Sequence, residues 1–573
     1  MPHTTPAGPD GPRLPGGIRH QLVLWLNQVG ILQPLLEQVH LREEVSAALQ
    51  AIRGEELAVV ESGRLVEVLV LNRLMAPRPL YRVGEWLQGS VLAHRLGLDS
   101  AQVNDARLGR LLDALDGVTA TIWPQLVAHA LAVGGADLAA LYYDITSFYF
   151  EGDYVDVPEI TYGYSRDRRP DTQQVEVGLT VTATDGLPVA YRVLAGNTAD
   201  ATTPVDNLHL LQQLVAHVAA DAPFPLVISD RAMLSLATLA AYEAAGVRYL
   251  GPLPDSALTS ALLERAAATD WAAHPLAYRP AREQRTRPAP PAQGAAVDGA
   301  AGALETETEA EEGVYYGVRL SVDLPLPAVG ATPARTLTRP ALVVKSTRKA
   351  ILDATHRQTL LTRLETSLSD LASKLNRGRY CRQAAVEARL ATLLAAAGTA
   401  RIRRFLSVQL SGTDGQVRLQ VERDAPALAQ AATRDGLYVL VTNAEGLDNE
   451  AMLTQTKGRD RIEKRIAIFK GPLAVRPMFL EKVERIRAMV FICLVALLVY
   501  SLLEQRARQA GLHVTGRKVL ERFAVCSAVL TTFADGTTLL LAAPFSAWQQ
   551  ELAVPLTVPD PNHWLVPLDP LPS

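Results

Sequence analysis

The sequence predicts a mixed α/β protein in which a central sheet is interrupted by a large insertion. Helical periodicity dominates up to about residue 136, and short apolar strands then alternate with amphipathic helices up to residue 252. A polar stretch rich in Pro, Ala and Glu separates this region from a later block of helices. A chain of 573 residues is too long for one hydrophobic core, and a hydrophobic content of 48% suffices for several.

The N-terminal part is predicted to be helical. Residues 1–17 form a disordered tail, and residues 18–136 form a helical domain. Its apolar residues recur with helical spacing over the segments 22–36, 43–53, 57–74, 82–96 and 105–115. Short helices of this kind are compatible with a helix-turn-helix, but no recognition helix stands out. DNA binding and dimerisation are therefore equal alternatives for this domain.

A change of periodicity at residue 137 marks the start of the predicted sheet. A buried strand over 138–150 carries Asp144 in its middle, and strands 175–183 and 188–194 are joined by the turn Thr184-Asp-Gly186. A helix, a strand that ends at Asp230, a second helix and a strand over 248–252 follow. This order resembles the ribonuclease H-like arrangement, so residues 137–252 are expected to form the first part of such a core.

The remainder of the chain divides into an insertion and a C-terminal part. Residues 253–447 are predicted to be an inserted α+β subdomain with a low-complexity loop over 279–312 and long helices broken near Asn376-Arg-Gly378. Residues 448–505 carry a helix that completes the core, and residues 506–573 form a C-terminal region. The apolar run 488–503 is shorter than the roughly 18 residues of a membrane span, which favours a buried core helix.

One helix, predicted over residues 456–470, concentrates charge on one face. At about 100° per residue, Arg459, Glu463 and Lys470 fall within about 40° of one another, beside an apolar stripe of Ile462, Ile466 and Phe469. Because the net charge of the chain is −4, a DNA-binding surface must be local. The segment 457–487 holds ten cations and four acids, a net charge of +6. It is interpreted as that surface, with a solvated basic helix face as the equal alternative.

Three acids are the candidate catalytic residues: Asp144, Asp230 and Glu463. They are separated by 86 and 233 residues, so only a fold brings them together. A carboxylate on a buried strand is costly unless it is paired or bound to metal, and oxygen-only ligands suit Mg²⁺ or Mn²⁺. The three cysteines are far apart without a Cys-x-x-Cys pair, which indicates neither a disulfide framework nor a zinc site and fits a reducing cytoplasm.

The joint set of motifs resembles one family. Arg459, Glu463 and Lys470 keep the spacing of a third motif that reads Tyr, two residues, Arg, three residues, Glu, six residues, Lys. Further matching segments are Asp144-Ile-Thr-Ser147, residues 163–171, Gly196-Asn-Thr198, Asp230-Arg-Ala-Met233 and Gly471-Pro-Leu-Ala-Val-Arg-Pro477. Over residues 60–505 the chain resembles a DDE transposase of a bacterial insertion sequence, in the branch with this third motif.

The resemblance implies cut-and-paste DNA transposition: hydrolysis at the transposon end, then attack of the freed 3′-hydroxyl on target DNA. It implies two Mg²⁺ (or Mn²⁺) ions held by Asp144, Asp230 and Glu463, double-stranded DNA as partner, a homodimer on DNA, no membrane, and action at the nucleoid in the bacterial cytoplasm. The expected DNA contacts are Arg459, Lys470, Arg231, Arg166, Arg168, Arg169 and Arg476. A local ion pair is the alternative for Arg231, and a solvated turn for residues 164–169.

The sequence also departs from the family pattern. Thr456 occupies the position of the family's Tyr, and Ala232 occupies a position where the family usually has Gly. Ala467 belongs to a pair that is often Phe-Arg in the family, and Met489 occupies a position that is often His. None of these replaces an expected metal ligand. Two alternatives remain open: a ribonuclease H-like endonuclease without strand transfer, and a DNA-binding remnant that has lost its chemistry.

Overall fold

The computed structural model describes residues 17–53, 57–150, 154, 157–163, 169–199, 202–219, 223–278, 313–396, 399–473 and 480–565. The chain forms two compact units. The first contains Met1–Ile228 and Gly458–Ser573, and the second contains Ser229–Lys457. The second unit is therefore an insertion in the sequence of the first. Residues 1–16 of the predicted tail and the whole predicted loop 279–312 lie outside the described residues.

The first unit begins with a strand where the sequence predicts a helix. The segment 22–36 is predicted as one helix. In the structure its first residues belong to a strand, β1 (Ile18–Trp25), and its last residues belong to a helix, α1 (Val29–Gln38). β1 pairs antiparallel with β13 (Ser527–Phe533), which also pairs with β14 (Thr538–Ala542). The side chains of Gln21 and Thr531, 510 residues apart, share a hydrogen bond. The helix prediction is wrong here because a partner so distant leaves no trace in local periodicity.

The other helices of the first unit include one long, buried helix, α16 (Val483–Gln509), against which α1, α3, α6 and α7 pack. The N-terminal helices are α2 (Leu41–Arg53), α3 (Leu57–Met75), α4 (Val83–Gln88), α5 (Leu92–Leu96), α6 (Asp105–Asp116) and α7 (Thr119–Gly134). The short helices α17 (Gly516–Phe523) and α18 (Ala547–Ala553) follow α16. By length and composition α16 would pass as a membrane span, but 94% of its most apolar window is buried inside the protein. This burial agrees with the interpretation as a core helix.

A buried polar network lies among the N-terminal helices. Glu67 of α3 is 1% exposed, accepts a hydrogen bond from Gln33 Nε2 at 3.0 Å, and has its Oε2 3.1 Å from Arg42 Nε. Burial raises the pKa of Glu67 to about 7, although Arg42 acts in the opposite direction. The desolvation cost of the charged carboxylate therefore outweighs its ion pair.

Glu67 should make the folded state less stable as pH rises. Between pH 4.5, the ordinary pKa, and pH 7, folded Glu67 holds a proton that the unfolded chain has released, so its contribution falls across this window. The change is roughly 3 kcal/mol, at about 1.4 kcal/mol per pKa unit. Urea unfolding at several pH values should show a shallower dependence for Glu67→Gln, with the exposed Glu43→Gln as matched control. Equal slopes for Glu67→Gln and wild type would contradict the assignment.

The sheet of the first unit is mixed. Its strands, in spatial order, are β4 (Pro188–Ala195), β3 (Gln174–Thr182), β2 (Ala140–Tyr149) and β5 (Leu226–Ile228). β2 and β4 each pair antiparallel with β3, whereas β2 and β5 pair in parallel. Helix α8 (Thr203–Val218) connects β4 to β5 along the chain. The three meandering strands and the parallel fourth strand confirm the predicted order of elements within this unit. The fold class is therefore mixed α/β.

The strands of the second unit pair antiparallel with one another. Its strands, in spatial order, are β6 (Tyr249–Pro252), β12 (Leu437–Thr442), β9 (Arg335–Ser346), β8 (Tyr315–Leu326) and β7 (Pro275–Leu276). Helices α9 (Leu236–Ala244), α10 (Ala257–Ala267) and α14 (Asn449–Lys457) belong to the same unit.

A helical substructure extends the second unit between β9 and β12. It contains α11 (Thr347–Ser373), α12 (Gln383–Ala395), the hairpin of β10 (Leu406–Ser411) and β11 (Arg418–Arg423), and α13 (Ala425–Ala432). Leu361, Leu364 and Leu368 of α11 form a core with Phe405 and Leu406. The predicted helix break near 376–378 is confirmed, because Asn376 and Gly378 have positive φ values of 60° and 53°.

Candidate active site

Asp144 lies in the middle of β2, opposite Leu179 of β3. Its side chain is 19% exposed, and its Oδ1 accepts a hydrogen bond from the Ile145 amide at 2.8 Å. Side chains alternate across a strand, so Asp144 and Phe148 face the same side of the sheet. Contacts of Phe148 therefore identify the element that covers Asp144.

A short helix, α15 (Asp460–Lys470), covers this face of β2. The rings of Phe469 and Phe148 meet edge to face with centroids 5.1 Å apart, and Lys470 Nζ lies 5.6 Å from the Phe148 ring centroid. Ile462 and Phe469 are fully buried, as their seven-residue spacing predicts. The predicted helix over 456–470 is shortened, because α15 begins at Asp460 with Arg459 as its N-terminal flanking residue.

The stripe of Arg459, Glu463 and Lys470 follows β2. Arg459 Nη2 is 3.8 Å from Asp144 Oδ2, so the two ends of the stripe contact Asp144 and Phe148. Arg459 and Lys470 are eleven residue steps apart, which is about 16 Å along a helix. Asp144 and Phe148 are four steps apart, which is about 13 Å along a strand. Helix and strand thus run side by side. Glu463 is exposed, about 6 Å along the helix axis from Arg459.

Two further arginines hold α15 in place. Arg465, 4% exposed, donates from Nε to the Gly186 carbonyl at 2.8 Å and from Nη2 to the Asp185 carbonyl at 2.9 Å, and its Nη1 pairs with Glu504 Oε2 at 2.6 Å. Arg461 donates to the Ala183 carbonyl. These bonds tie α15 to the β3–β4 turn and to α16. A Cβ at Gly186, whose φ is +67°, would lie 3.0 Å from Arg465 Nε, which explains the glycine in this turn.

Glu504 is the buried counter-ion of this assembly. Burial by itself would raise the pKa of Glu504, but the Arg465 guanidinium and the Gly516 amide outweigh burial and hold that pKa below its usual range. The carboxylate is therefore charged in the folded protein. Sequence analysis did not identify Arg465 as a positioning residue. Helical spacing could have identified Arg465 as buried, because Ile462, Arg465 and Phe469 fall on one stripe of the helix.

The interpretation of segment 457–487 as a DNA-binding surface needs correction. Arg485 forms a bidentate pair with Asp113 at 2.8 Å, and Arg487 pairs with Asp116 at 2.7 Å and Glu159 at 3.3 Å. Lys464 pairs with Asp460, and Lys457 lies in the second unit over the ring of Tyr315. Charge counting cannot detect these pairs, because the partners of Arg485 and Arg487 lie 328–372 residues away. The segment therefore presents much less positive charge than its net +6 indicates.

Asp230 and Arg231 belong to the second unit. Asp230 precedes a single 3₁₀ turn, Arg231–Met233, and its Oδ1 accepts a hydrogen bond from the Arg231 amide at 2.7 Å. The Arg231 side chain pairs with Asp255, with Nη1 and Oδ1 3.0 Å apart. The alternative of a local ion pair is thus present for Arg231. Asp230 remains a predicted ligand on sequence grounds.

The other predicted DNA contacts are only partly described. Arg169 pairs with Asp171 at 3.1 Å and lies over the ring of Tyr149, which faces the side of β2 opposite to Asp144. Arg166, Arg168 and Arg476 lie outside the described residues. Among the predicted site residues, the first unit therefore brings Asp144, Arg459, Glu463 and Lys470 together along one helix–strand contact.

Two glycines of the matching motifs have a structural role. A Cβ at Gly163 would collide with the carbonyl oxygen of Gly196, and one at Gly196 with the carbonyl oxygen of Gln174. Gln174 Nε2 also donates to the Gly196 carbonyl at 2.8 Å. These glycines allow the segment after β4 to lie directly against the start of β3.

The first unit supplies two of the three predicted metal ligands. Asp144 and Glu463 offer carboxylate oxygens, which hard divalent ions prefer. In the part of the chain that the structure describes, no group of three or more His, Cys, Asp and Glu side chains is close enough to hold a metal ion. Asp144 on β2 and Glu463 on α15 therefore offer the donor type that a divalent ion prefers, but the described residues do not by themselves complete a metal site.

Comparisons with known proteins give the following matches. A family model described as a transposase DDE domain matches residues 143–499, and one described as a domain of unknown function, DUF4277, matches residues 22–125. A solved structure described as a cryo-EM structure of piggyBac transposase synaptic complex with hairpin DNA matches at 9% identity and a TM-score of 0.36, over 88% of this chain and 81% of the other. A likeness at that score supports no inference about fold or activity. A search of curated proteins found no match.

Proposed function

The chain belongs to the transposase DDE domain family, and from that premise we propose that it excises and integrates a bacterial insertion sequence by cut-and-paste transposition. The reaction has two stages. The first is hydrolysis of a phosphodiester at each end of the element, and the second is transfer of the resulting 3′-hydroxyl to target DNA. Membership of this family supports the function of a transposase, and the two stages are the proposal.

One observation carries the proposal beyond the family. Asp144 and α15 are 319 residues apart in sequence when counted to Glu463, yet α15 covers the face of β2 that bears Asp144, and Arg459 lies 3.8 Å from that carboxylate. A carboxylate in the middle of an inner strand, such as Asp144, is costly to bury unless it is paired or bound to metal. The convergence of Asp144 and α15 beside a guanidinium supports a site that handles a charged substrate.

We assign Asp144, Asp230 and Glu463 as the carboxylates that hold divalent ions, of which two, Mg²⁺ or Mn²⁺, are proposed. DDE transposases generally use divalent metal ions. When bound, such ions polarise the scissile phosphodiester and lower the pKa of the attacking water or hydroxyl. The protein contributes the negative charge that retains them and a rigid support, since Arg465 fixes α15 to the β3–β4 turn and to α16.

The cations on the same stripe are proposed to bind DNA. Arg459 offers a planar fork that suits two phosphate oxygens, whereas Lys470 offers a single point charge. Arg459 lies 3.8 Å from Asp144, so the guanidinium is already beside the proposed metal ligand. Arg231, Arg169, Arg166, Arg168 and Arg476 remain proposed contacts with less support. The proposed partners are the two ends of the element, target DNA and a second copy of the chain, in the bacterial cytoplasm at the nucleoid.

The test uses the full chain and a labelled duplex that carries the ends of the element flanking its reading frame. Incubation with Mg²⁺ should give both nicked ends and joined products, and chelation with EDTA should abolish both while DNA binding persists. The products decide among the alternatives. Cleavage without joining would favour the nuclease, and binding without any cleavage would favour a remnant that has lost its chemistry.

A further inference from the structure

The turn between α11 and α12 is rigidly held. Asn376 Oδ1 accepts from the Val417 amide at 2.8 Å, and its Nδ2 donates to the Val417 carbonyl at 3.0 Å. The Gly415 amide donates to the Cys381 carbonyl at 2.7 Å, and the Gln383 amide donates to Asp414 at 2.8 Å. The β10–β11 hairpin thus braces the turn from one side. Side chains on this turn have a fixed backbone beneath them.

This turn, together with the first residues of α12, carries a concentrated positive charge. We call residues 374–389 the insertion tip. It contains five cations and one acid, Glu387, in a chain whose net charge is −4. The five cations are all exposed: Lys374, Arg377, Arg379, Arg382 and Arg389.

The arginines of the insertion tip differ from those around α15 in their partners. Lys374 pairs with Asp370 at 2.6 Å. None of the four arginines forms an ion pair with a carboxylate in the described part of the chain, whereas Arg465, Arg485 and Arg487 are all paired. Arg379 is held by its neighbour, with its guanidinium carbon 4.8 Å from the Tyr380 ring centroid and Nη2 2.8 Å from the Tyr380 hydroxyl. Four positive charges are thus left for an external partner.

An open polar cavity lies at the insertion tip between α11 and α12. Its polar walls include Thr366, Ser367, Asp370, Lys374, Arg379 and Arg389. Guanidinium and ammonium groups such as those of Arg379, Arg389 and Lys374 are the usual partners of phosphate oxygens. In the described part of the chain, none of the large exposed apolar side chains lies in the insertion tip. A helix that binds at a membrane interface would need such side chains there. The chemistry therefore favours a polyphosphate chain over a lipid surface.

We propose that the insertion tip binds the sugar-phosphate backbone of double-stranded DNA, independently of base sequence. This inference rests on the proposed function in one respect, because a transposase supplies the reason for a further DNA contact. Arginines fixed on a braced turn lose little conformational freedom when they bind, and each phosphate contact releases a counterion. The surface adds affinity without specifying sequence.

The test is the affinity of the full chain for a random-sequence duplex, measured in EDTA so that no catalysis takes part. The triple substitution Arg377→Ala, Arg379→Ala and Arg382→Ala should weaken binding roughly tenfold or more at about 0.15 M salt. The slope of log K against log salt should fall by about 0.9 for each phosphate that the variant no longer neutralises. The three lysine substitutions at the same positions should retain most of the affinity, since they keep the charge.

A matched control removes three exposed cations from the first unit, as Arg82→Ala, Arg517→Ala and Lys518→Ala. Circular dichroism of both triple variants checks that they fold. Wild-type affinity and slope in the tip variant would overturn the proposal, as would an equal reduction in the control. Weaker binding to vesicles of anionic phospholipid with unchanged DNA affinity would also overturn it. DNA binding is measured here without metal ions. A wild-type chain that fails to cleave DNA would therefore contradict the proposed function but not the proposed role of the insertion tip.

Discussion

Asp144→Asn and Glu463→Gln should each reduce Mg²⁺-dependent cleavage of transposon ends at least about a thousandfold while DNA binding persists. Both substitutions keep side-chain volume and remove the negative charge that is proposed to retain the metal ions. The measurement is single-turnover cleavage of a labelled duplex, together with Mn²⁺ binding by the full chain followed by electron paramagnetic resonance. Both variants should bind Mn²⁺ more weakly than wild type.

The matched control for these variants lies on the same helix. Asp460→Asn removes an equal charge from α15, but Asp460 pairs with Lys464 and lies off the stripe of Arg459, Glu463 and Lys470. It should cleave within a few-fold of wild type. Cleavage by Glu463→Gln at a rate close to that of Asp460→Asn would exclude Glu463 as a metal ligand, whatever the outcome for Asp144.

Arg465→Met should lower the free energy of unfolding of the first unit by about 3–5 kcal/mol, the usual cost of breaking a buried ion pair. The substitution leaves the Glu504 carboxylate, with a side chain only 14% exposed, without its main cation. It also removes the donors to the carbonyls of Asp185 and Gly186. Urea unfolding followed by tryptophan fluorescence gives the measurement.

Two further variants show whether the loss of unfolding free energy is specific to the ion pair of Arg465 with Glu504. Lys464→Met on the exposed side of α15 should cost less than about 1 kcal/mol, because its ion pair with Asp460 is at the surface. Adding Glu504→Met to Arg465→Met should recover much of the stability, since no buried charge is then left alone. A double variant no more stable than Arg465→Met would show that Arg465 stabilises the unit mainly through the turn carbonyls.

Local pattern predicted the elements that carry the site. A largely apolar run over residues 138–150 predicted β2 with Asp144 at its centre, and the turn Thr184-Asp-Gly186 predicted the β3–β4 hairpin. Helical spacing predicted that Arg459, Glu463 and Lys470 share a face, and both ends of that stripe contact β2. These predictions succeeded because strand and helix periods are set by neighbours within a few residues.

Predictions that depended on distant partners failed or were never made. Leu22–Trp25 forms part of a strand because β13 supplies its hydrogen bonds. The arginines counted as a DNA-binding surface include Arg465, Arg485 and Arg487, whose acidic partners lie on other elements. The sequence does not distinguish a cation that is solvated from one that is paired with a distant acid.

The sequence alone therefore determined the order of elements from β2 to β6, the helix break at residues 376–378 and the alignment of one carboxylate with two cations on α15. Tertiary structure alone decided which charges remain available to a partner. Hydrogen-bond geometry and side-chain direction are local and periodic, so a single chain reveals them. Whether a guanidinium is neutralised, or a carboxylate such as Glu67 is protonated, depends on the groups that packing brings beside it and on the water that packing removes.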